Sequence, residues 1–452
     1  MLRLQTGACL GEMEQKMKAD LLKKIENRTA VVSVIGLGYV GLPLAVEMAK
    51  AGYKVIGIDI NKVTVDMVNA ANNYIGDVNE VELKEVVRKG LLIGTQDFSS
   101  LKTCDCILIC VPTPLDANKQ PELSYIKSAV YELAKYIKAG TLVILESTTY
   151  PGTTQELLKP TLEKESKLVC EKDFYLAFSP ERVDPGNEVY KTANTPKVVG
   201  GIGRDSTEAA AALYRNFLKS EVFEVSSPAV AEMEKILENT YRNINIALIN
   251  ELAIICEQMR INIWEVIEAA KTKPYGFQAF YPGPGIGGHC IPLDPFYLTW
   301  KAREYDYHTR LIELSGEINQ YMPRYVVERV FRIMNRLKKP LNGSKIMLLG
   351  VAYKPDIGDC RESPSLKVIE LLEEEGVNVC FHDPYVPEFS HKNKLYTNTE
   401  LTEEALKSMD LVVITTPHRC CDYSFIQRKA NFIFDTRNAM KEVANKENIE
   451  LL

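Results

Sequence analysis

Histidine and tryptophan are scarce, five and two in 452 residues, and basic residues (54) fall short of acidic ones (60). Long apolar runs are missing altogether. Each shortage excludes something. Without an uninterrupted apolar stretch of roughly eighteen residues, no segment is expected to span a bilayer. A formal charge of -6 offers no global basic field to nucleic acid or an anionic membrane, so any anionic ligand must be held by local groups. With so few histidines and no CxxC pair among eleven cysteines, the stretch HRCC at 418–421 reads as ordinary thiols sooner than as a zinc site, and no metal is expected. The odd cysteine count, and a start (MLRLQTGACLGEMEQKMKAD) without an apolar core and cleavage site, favour reduced thiols in a cytoplasm.

What is present is a chain 46% hydrophobic, long enough for two or three domains. Regular patterning begins with EMEQKMKADLLKKIENRT, so residues 1–28 read as an extension and lead-in helix. From Val31, short β-branched runs (VVSVIG, KVIGID, CILICVP, TLVILEST) alternate with amphipathic helical segments, the pattern of a parallel sheet covered by helices. FYLAFS and PKVVGG extend this first domain over 29–218. Residues 219–337 form a helical block, with one long helix from Pro228 to about Arg260. The βα alternation resumes over 338–452 with KIMLLGV, VNVCFHDP, DLVVITTP and NFIFDTRN, and DLVVITTPHR echoes DCILICVPTP. The expected fold is α/β: two Rossmann-like, doubly wound domains joined by a long central helix and helical block, with a ligand at the cleft.

In VVSVIGLGYVGLPLAVEMAKAGYKVIGIDI, glycines 36, 38 and 41 stand between a strand and a helix, and Asp59 ends the next strand. Such glycines permit a tight turn and let backbone N–H groups approach a pyrophosphate at the helix N-terminus. An acid at the second strand's end accepts hydrogen bonds from a ribose and repels a 2′-phosphate, so NAD is expected over NADP. LLGVAYKPDIG, near the C-terminus, lacks the fingerprint and should take a different nucleotide or none.

The stretch PGPGIGGHC at 282–290 is too rich in glycine and proline for helix or strand, so its backbone must pass close to something. Cys290 follows those glycines and precedes Asp294-Pro295, a cap and first-turn pair, and a thiol near a helix N-terminus tends toward thiolate. The other cysteines are expected as small buried hydrophobes. Lys235, Asn239 and Asn243 share one face of the long helix, which a solvated face would also produce. Glu181, in SPERVDPG, follows a strand, where a carboxylate can face a cleft or simply sit in a loop.

Taken together, GLGYVGLPLA, VPTP, ESTTYPGTT, SPERVDPG, AEMEKILENTYRNINIALINE, PGPGIGGHCIPLDPFYL and GVAYKPDIGDCRESPS closely resemble, in order, the UDP-glucose/GDP-mannose dehydrogenase family. The resemblance runs from about Met13 to the end. SPERVDPG and PGPGIGGHCIP look like the branch acting on UDP-N-acetylhexosamines, UDP-N-acetylglucosamine above all. It implies oxidation of the sugar C6 from alcohol to carboxylate with two NAD, through a thiohemiacetal and thioester on Cys290. It implies Lys235 and Asn239 as donors to oxyanions, Asp294 acting with Lys235 on a water, and Glu181 as base in thioester hydrolysis. NAD contacts carry over to Gly36, Gly38, Tyr39, Val40, Gly41, Asp59, Thr113, Thr148 and Arg361. Substrate contacts carry over to Glu181, Lys235, Asn239, Tyr281, Gly287, Lys354 and Arg437, whose cationic members suit a pyrophosphate. The long helices resemble the family's dimer core, so a homodimer or a multiple of one is expected.

Three positions depart from the family pattern. Pro355 replaces the second lysine of a KK pair, KPYGFQAFYPG has no arginine to reach across a dimer, and His289 replaces a smaller residue beside the nucleophile. Two other functions share parts of the pattern: a two-electron hydroxyacid dehydrogenase, which has no need of Cys290, and an inactive nucleotide-sugar sensor.

Overall fold

The computed structural model describes residues 15–116, 119–184 and 186–452. The chain divides into two units: residues up to Glu238 with Arg303–Tyr305, and Asn239–Ala302 with Asp306–Leu452.

In the first unit the strands are β1 (Val31–Ile35), β2 (Lys54–Ile58), β3 (Leu92–Thr95), β4 (Cys106–Ile109), β5 (Leu142–Leu145), β6 (Tyr175–Phe178), β7 (Lys197–Gly201) and β8 (Val222–Val225). They form one sheet in the order β3-β2-β1-β4-β5-β6-β7-β8. CILI, LVIL and YLAF are buried at every position, as strands covered by helices on both faces must be. The order reverses between β1 and β4, the place where doubly wound sheets bind ligands. A helix over residues 15–26 leads in, with Leu21 and Ile25 in the core and the Tyr53 hydroxyl donating to the Ile25 carbonyl at 2.8 Å.

One pair of strands departs from the all-parallel expectation. β7 runs antiparallel to β6, pairing Ala177 with Gly201 and Phe178 with Gly200. The cause lies in the connection: the described residues of 179–196 contain no helix, and a parallel return needs a crossover of that kind. The next connection does have a helix, Arg204–Phe217, and β8 lies parallel to β7. Carried three residues further, the antiparallel register sets Glu181 opposite Lys197.

In the second unit, β9 (Lys345–Leu349), β10 (Asn378–His382), β13 (Leu411–Ile414), β14 (Ile433–Asp435) and β15 (Ile449–Leu451) form a parallel sheet ordered β10-β9-β13-β14-β15. Between β10 and β13, β11 (Glu388–His391) and β12 (Lys394–Thr397) make a separate antiparallel hairpin. The helical part contains Ile263–Lys271, Asp294–Ala302 and Arg310–Arg336. The 32-residue central helix Pro228–Met259 begins in the first unit and continues into the second.

Candidate active site

At the carboxyl end of β1 the chain enters the turn before helix Gly41–Lys50. Gly36 has φ +91°, and a Cβ there would lie 2.6 Å from the Cys110 carbonyl oxygen; only glycine serves. At Gly38 a Cβ would meet nothing within 4 Å, so the backbone faces open space where a pyrophosphate can approach. No acid occupies the helix's first turn, leaving its N-terminus favourable to anions. Asp59 takes the Leu37 N–H at 2.9 Å and the Asn61 N–H at 2.8 Å. Each oxygen keeps a lone pair for a ribose hydroxyl, so the turn fits a dinucleotide. Thr113 and Thr148, at the carboxyl ends of β4 and β5, are partly exposed, and Ser147 ties those ends together by donating to the Val111 carbonyl at 2.8 Å.

Further along the same sheet, Glu181 and Lys235 come together: the lysine ammonium donates to the Glu181 carbonyl at 2.5 Å, leaving two N–H groups. The Glu181 carboxylate takes the Arg182 and Val183 N–H groups, both at 2.8 Å, on one oxygen. Its other oxygen lies 3.4 Å from Lys197, which also meets Glu146 at 2.6 Å. Burial pushes the Glu181 carboxyl up, but Lys197 and the Val183 N–H more than offset this and hold it below the ordinary carboxylate range. Arg182 pairs with Glu238 at 2.5 Å and Glu234 at 3.4 Å, both on the central helix, so the loop is clasped to the helix on either side of Lys235.

In the second unit the glycine-rich loop lies against the C-terminal sheet's loops. Gly288 has φ +84°, and a Cβ there would stand 2.9 Å from the Tyr353 ring; one on Gly283 would meet the Arg437 guanidinium at 2.3 Å. The close neighbour that the glycines required is thus the protein itself. Asparagines of the central helix pin both ends of the loop. Asn250 accepts the Gly283 N–H at 3.0 Å, and Asn243 donates to the Ile291 carbonyl at 3.0 Å. Asn239 donates to the Asp294 carboxylate at 2.5 Å. Cys290 itself is exposed, and its carbonyl accepts the Asp294 N–H at 2.9 Å where helix Asp294–Ala302 begins. A thiol held there can attack a carbonyl carbon while the buried carboxylate handles a proton.

Beside the thiol, His289 is exposed in the field of Arg361, Asp359 and Glu362. Arg361 forms a two-pronged pair with Asp359 at 2.7 and 2.9 Å. Arg437 follows β14 and donates to the Thr415 carbonyl at 3.2 Å, while Lys354 sits half-buried on the turn after β9 and Gly287 packs on Tyr353. Tyr281 is turned to helix Ile263–Lys271, stacked on Trp264 and bonded to Glu268 at 2.8 Å.

Several expectations change. The solvated-face reading of Lys235, Asn239 and Asn243 fails, since all three are buried. The cysteines are less uniform than expected: Cys104, Cys106, Cys110 and Cys170 are buried, but Cys420 is exposed along with Cys290. Among the described residues no group of His, Cys, Asp and Glu is placed to hold a metal. Sequence reasoning missed Glu146, Lys197 and Asn250. A glutamate opening ESTT directly after a buried strand and a lysine as the first residue of another, in PKVVGG, were the available signals.

Residues 30–218 match the UDP-glucose/GDP-mannose dehydrogenase family NAD binding domain, 229–321 its central domain and 347–442 its UDP binding domain. The UDP-N-acetyl-D-glucosamine 6-dehydrogenase of Pseudomonas aeruginosa is 39% identical over 78% of this chain and 83% of its own. The UDP-N-acetyl-D-mannosamine dehydrogenase of Methanocaldococcus jannaschii is 36% identical over 92% and 90%. Among solved structures, a UDP-D-ManNAc dehydrogenase from Pyrococcus horikoshii superposes with TM-score 0.85 at 34% identity, covering 93% of this chain and 98% of that one.

Proposed function

Since this chain belongs to the UDP-glucose/GDP-mannose dehydrogenase family and is an NAD-dependent nucleotide-sugar dehydrogenase, we propose that it oxidises C6 of a UDP-N-acetylhexosamine, UDP-N-acetylglucosamine first, to the carboxylate. The observation that carries this reading is Cys290: an exposed thiol on a loop anchored at both ends, its carbonyl bonded to the N–H of the buried Asp294.

Bound NAD supplies the hydride acceptor for each of two oxidations, held by the Gly36–Gly41 turn and Asp59. After the first, C6 is an aldehyde, and the Cys290 sulfur adds to it as a thiohemiacetal. Lys235 and Asn239 donate to the oxygen that gains charge, where preorganised donors contribute most. Asp294, acting with Lys235 through a water, takes up the proton. After the second oxidation the carbon is a thioester, and Glu181 takes a proton from the water that attacks it, releasing the acid and freeing the thiol. Lys354 and Arg437 hold the nucleotide end, with Tyr281 and Gly287 at the sugar end and Arg361 and the two threonines on the cofactor.

The forms SPERVDPG and PGPGIGGHCIP and the Pseudomonas relative support the N-acetylglucosamine substrate; the Methanocaldococcus relative favours the mannosamine epimer instead. Initial rates on a panel of UDP-sugars, with NADH counted per sugar consumed, test the reading. Two NADH per UDP-N-acetylglucosamine and a higher kcat/KM than for its epimers are expected; one NADH would point to a two-electron enzyme and none to a sensor.

We further propose a homodimer. Leu237, Tyr241, Leu248, Leu252, Ile255 and Met259 form one exposed apolar stripe along the central helix, the kind of face a second copy would cover. No described helix is long and apolar enough to cross a membrane, and ten described cysteines are free, which suits a reducing cytoplasm.

A further inference from the structure

Beneath the loop that carries Glu181 runs a line of buried polar groups that the proposed chemistry leaves unused. Tyr214, on helix Arg204–Phe217, donates its hydroxyl to Glu146. Lys197 lies 2.6 Å from Glu146 and 3.4 Å from Glu181, with its ammonium 5.4 Å from the Tyr214 ring centre. Glu146 is 1% exposed and Lys197 5%. An ammonium taken from water to this depth carries a heavy desolvation penalty unless well paired. One carboxylate would suffice for pairing. This ammonium faces two, and the second belongs to the residue proposed as base.

We infer that Lys197 is a positioning residue for Glu181: its ammonium fixes one carboxylate oxygen while the Arg182 and Val183 N–H groups fix the other, and Glu146 divides the ammonium's charge between two carboxylates. The inference rests on the proposed role of Glu181 in thioester hydrolysis. In that step the water gives its oxygen to the carbonyl carbon and a proton to Glu181, the carbon–sulfur bond breaks, and the proton leaves to solvent. The base must be ionised and must point at the water, and three donors within one loop and strand end, the Arg182 and Val183 N–H groups and the Lys197 ammonium, secure both. Reversal of β7 against β6 is what brings Lys197 to this position.

The charged and titratable groups facing Glu181 are Lys197 from β7, Glu146 after β5, Cys110 after β4 and Lys235 from the central helix; Tyr214 stands behind Glu146, and Arg182 is occupied by Glu234 and Glu238. Two substitutions therefore move the ionisation of Glu181 in opposite directions. Lys197→Met removes the cation, so the acidic limb of the kcat profile should move to higher pH by about 1 to 3 units, the span for an opposite charge at this range. Glu146→Gln removes the competing anion, so the limb should move to lower pH. Lys197→Arg keeps the cation and should restore a limb close to the parent's.

The experiment follows NADH release against pH on the full-length enzyme with UDP-N-acetylglucosamine, alongside acid quenching to detect sugar bound to Cys290 as a thioester. In Lys197→Met the thioester should accumulate after a burst of two NADH per site. A merely structural role would lower activity in both variants without opposite shifts of the limb, and that result overturns the inference. Should Lys197→Met not fold, the downward shift in the near-isosteric Glu146→Gln carries the test, and an unmoved limb there overturns it. A parent enzyme that yields two NADH per sugar with unmoved limbs in the variants sinks the positioning role alone; a parent that never forms thioester sinks the proposed function with it.

Discussion

Replacing Asn243 by alanine tests whether the central helix positions the thiol or merely packs beside it. Asn243 is 2% exposed; its amide donates to the Ile291 carbonyl at 3.0 Å and accepts the Ser315 hydroxyl at 2.9 Å. Ser315 loses little on truncation, because its single proton can turn to the Ile312 carbonyl at 2.8 Å. Ile291, one residue past Cys290, loses its side-chain donor. The opposite end of the loop stays anchored: Asn319 bonds the backbone carbonyl of residue 243 at 3.1 Å, and through Asn250 the hold on Gly283 persists. About 1 to 2 kcal/mol for the lost bond with its stranded Ile291 carbonyl and roughly 1 for the vacated volume give a loss near 2 to 3 kcal/mol. Displacing a reacting atom by about an ångström can reduce turnover about 100-fold, so kcat should fall roughly 10- to 100-fold while the KM for NAD holds. Urea unfolding, steady-state rates and amide hydrogen exchange over residues 290–294 provide the measurements. The expected pattern is faster exchange in that segment with the stability loss above. Equal exchange, or kcat within about twofold of the parent despite lost stability, would refute the anchoring argument.

Two further outcomes concern the supporting charges. Burial pushes Asp105 up, but Lys24 at 2.8 Å and the Val31 N–H at 3.0 Å prevail and hold its carboxyl below the usual range; its stabilising effect is present above the unfolded Asp value and disappears as pH falls through the lower folded one, so Asp105→Asn should be less stable than the parent at neutral pH by about 1 kcal/mol or more, the scale of a hydrogen bond to a charged group, and the gap should close as pH falls in urea melts. Glu234 behaves oppositely: burial and the neighbouring Glu238 raise it, and one of its oxygens is buried without a hydrogen-bond partner. Stability should then decline as pH rises from the unfolded Glu value through the raised one, pushed up to about 7, and Glu234→Gln should flatten that decline between about pH 4.5 and 7; an unchanged slope would show that the pair does not titrate in this range.

How much of this was legible in the sequence depends on whether a residue's role is local. The turn at Gly36 and the acid at Asp59 act within one βαβ unit, so spacing alone revealed them. Asn239 and Asn243 share a face with Lys235 because helical geometry puts them there, and the buried partners agree. Asn250 and Asn319 were not legible, since the asparagine each one meets is chosen by how two long helices pack. Lys197 was hidden for the same reason at larger scale: as the first letter of a strand it reads as an exposed end, and only the helix-free connection after β6, which reverses β7, carries it to Glu181. The strands that escaped notice, β3, β8 and β15 and the hairpin β11–β12, are three or four residues long. Such segments are too short to display an alternation, and their sheet partners define them.

The two sheets carry the same device put to different ends. Asp59 and Asp383 both follow the second strand of their sheet and both reach back to the N–H groups after the first strand, Leu37 in one case and Val351 and Ala352 in the other. Asp59 keeps capacity, since each oxygen takes one N–H and the side chain is partly exposed. Asp383 offers nothing to a ligand, because it is closed off from solvent. It is completely buried, one oxygen takes two N–H groups and the His418 ring at 3.0 Å, and the other takes the Tyr385 N–H at 2.9 Å. His418 Nδ1 accepts the Asp356 N–H at 3.0 Å, so the ring donates to Asp383 from Nε2 and locks the turn that presents Lys354. An acid buried in this way cannot read a ribose. Residues 347–442 nonetheless match the family's UDP binding domain, so under the proposed function the nucleotide there is met by cations such as Lys354 and Arg437 in place of this acid, which accords with the absence of a glycine fingerprint in LLGVAYKPDIG.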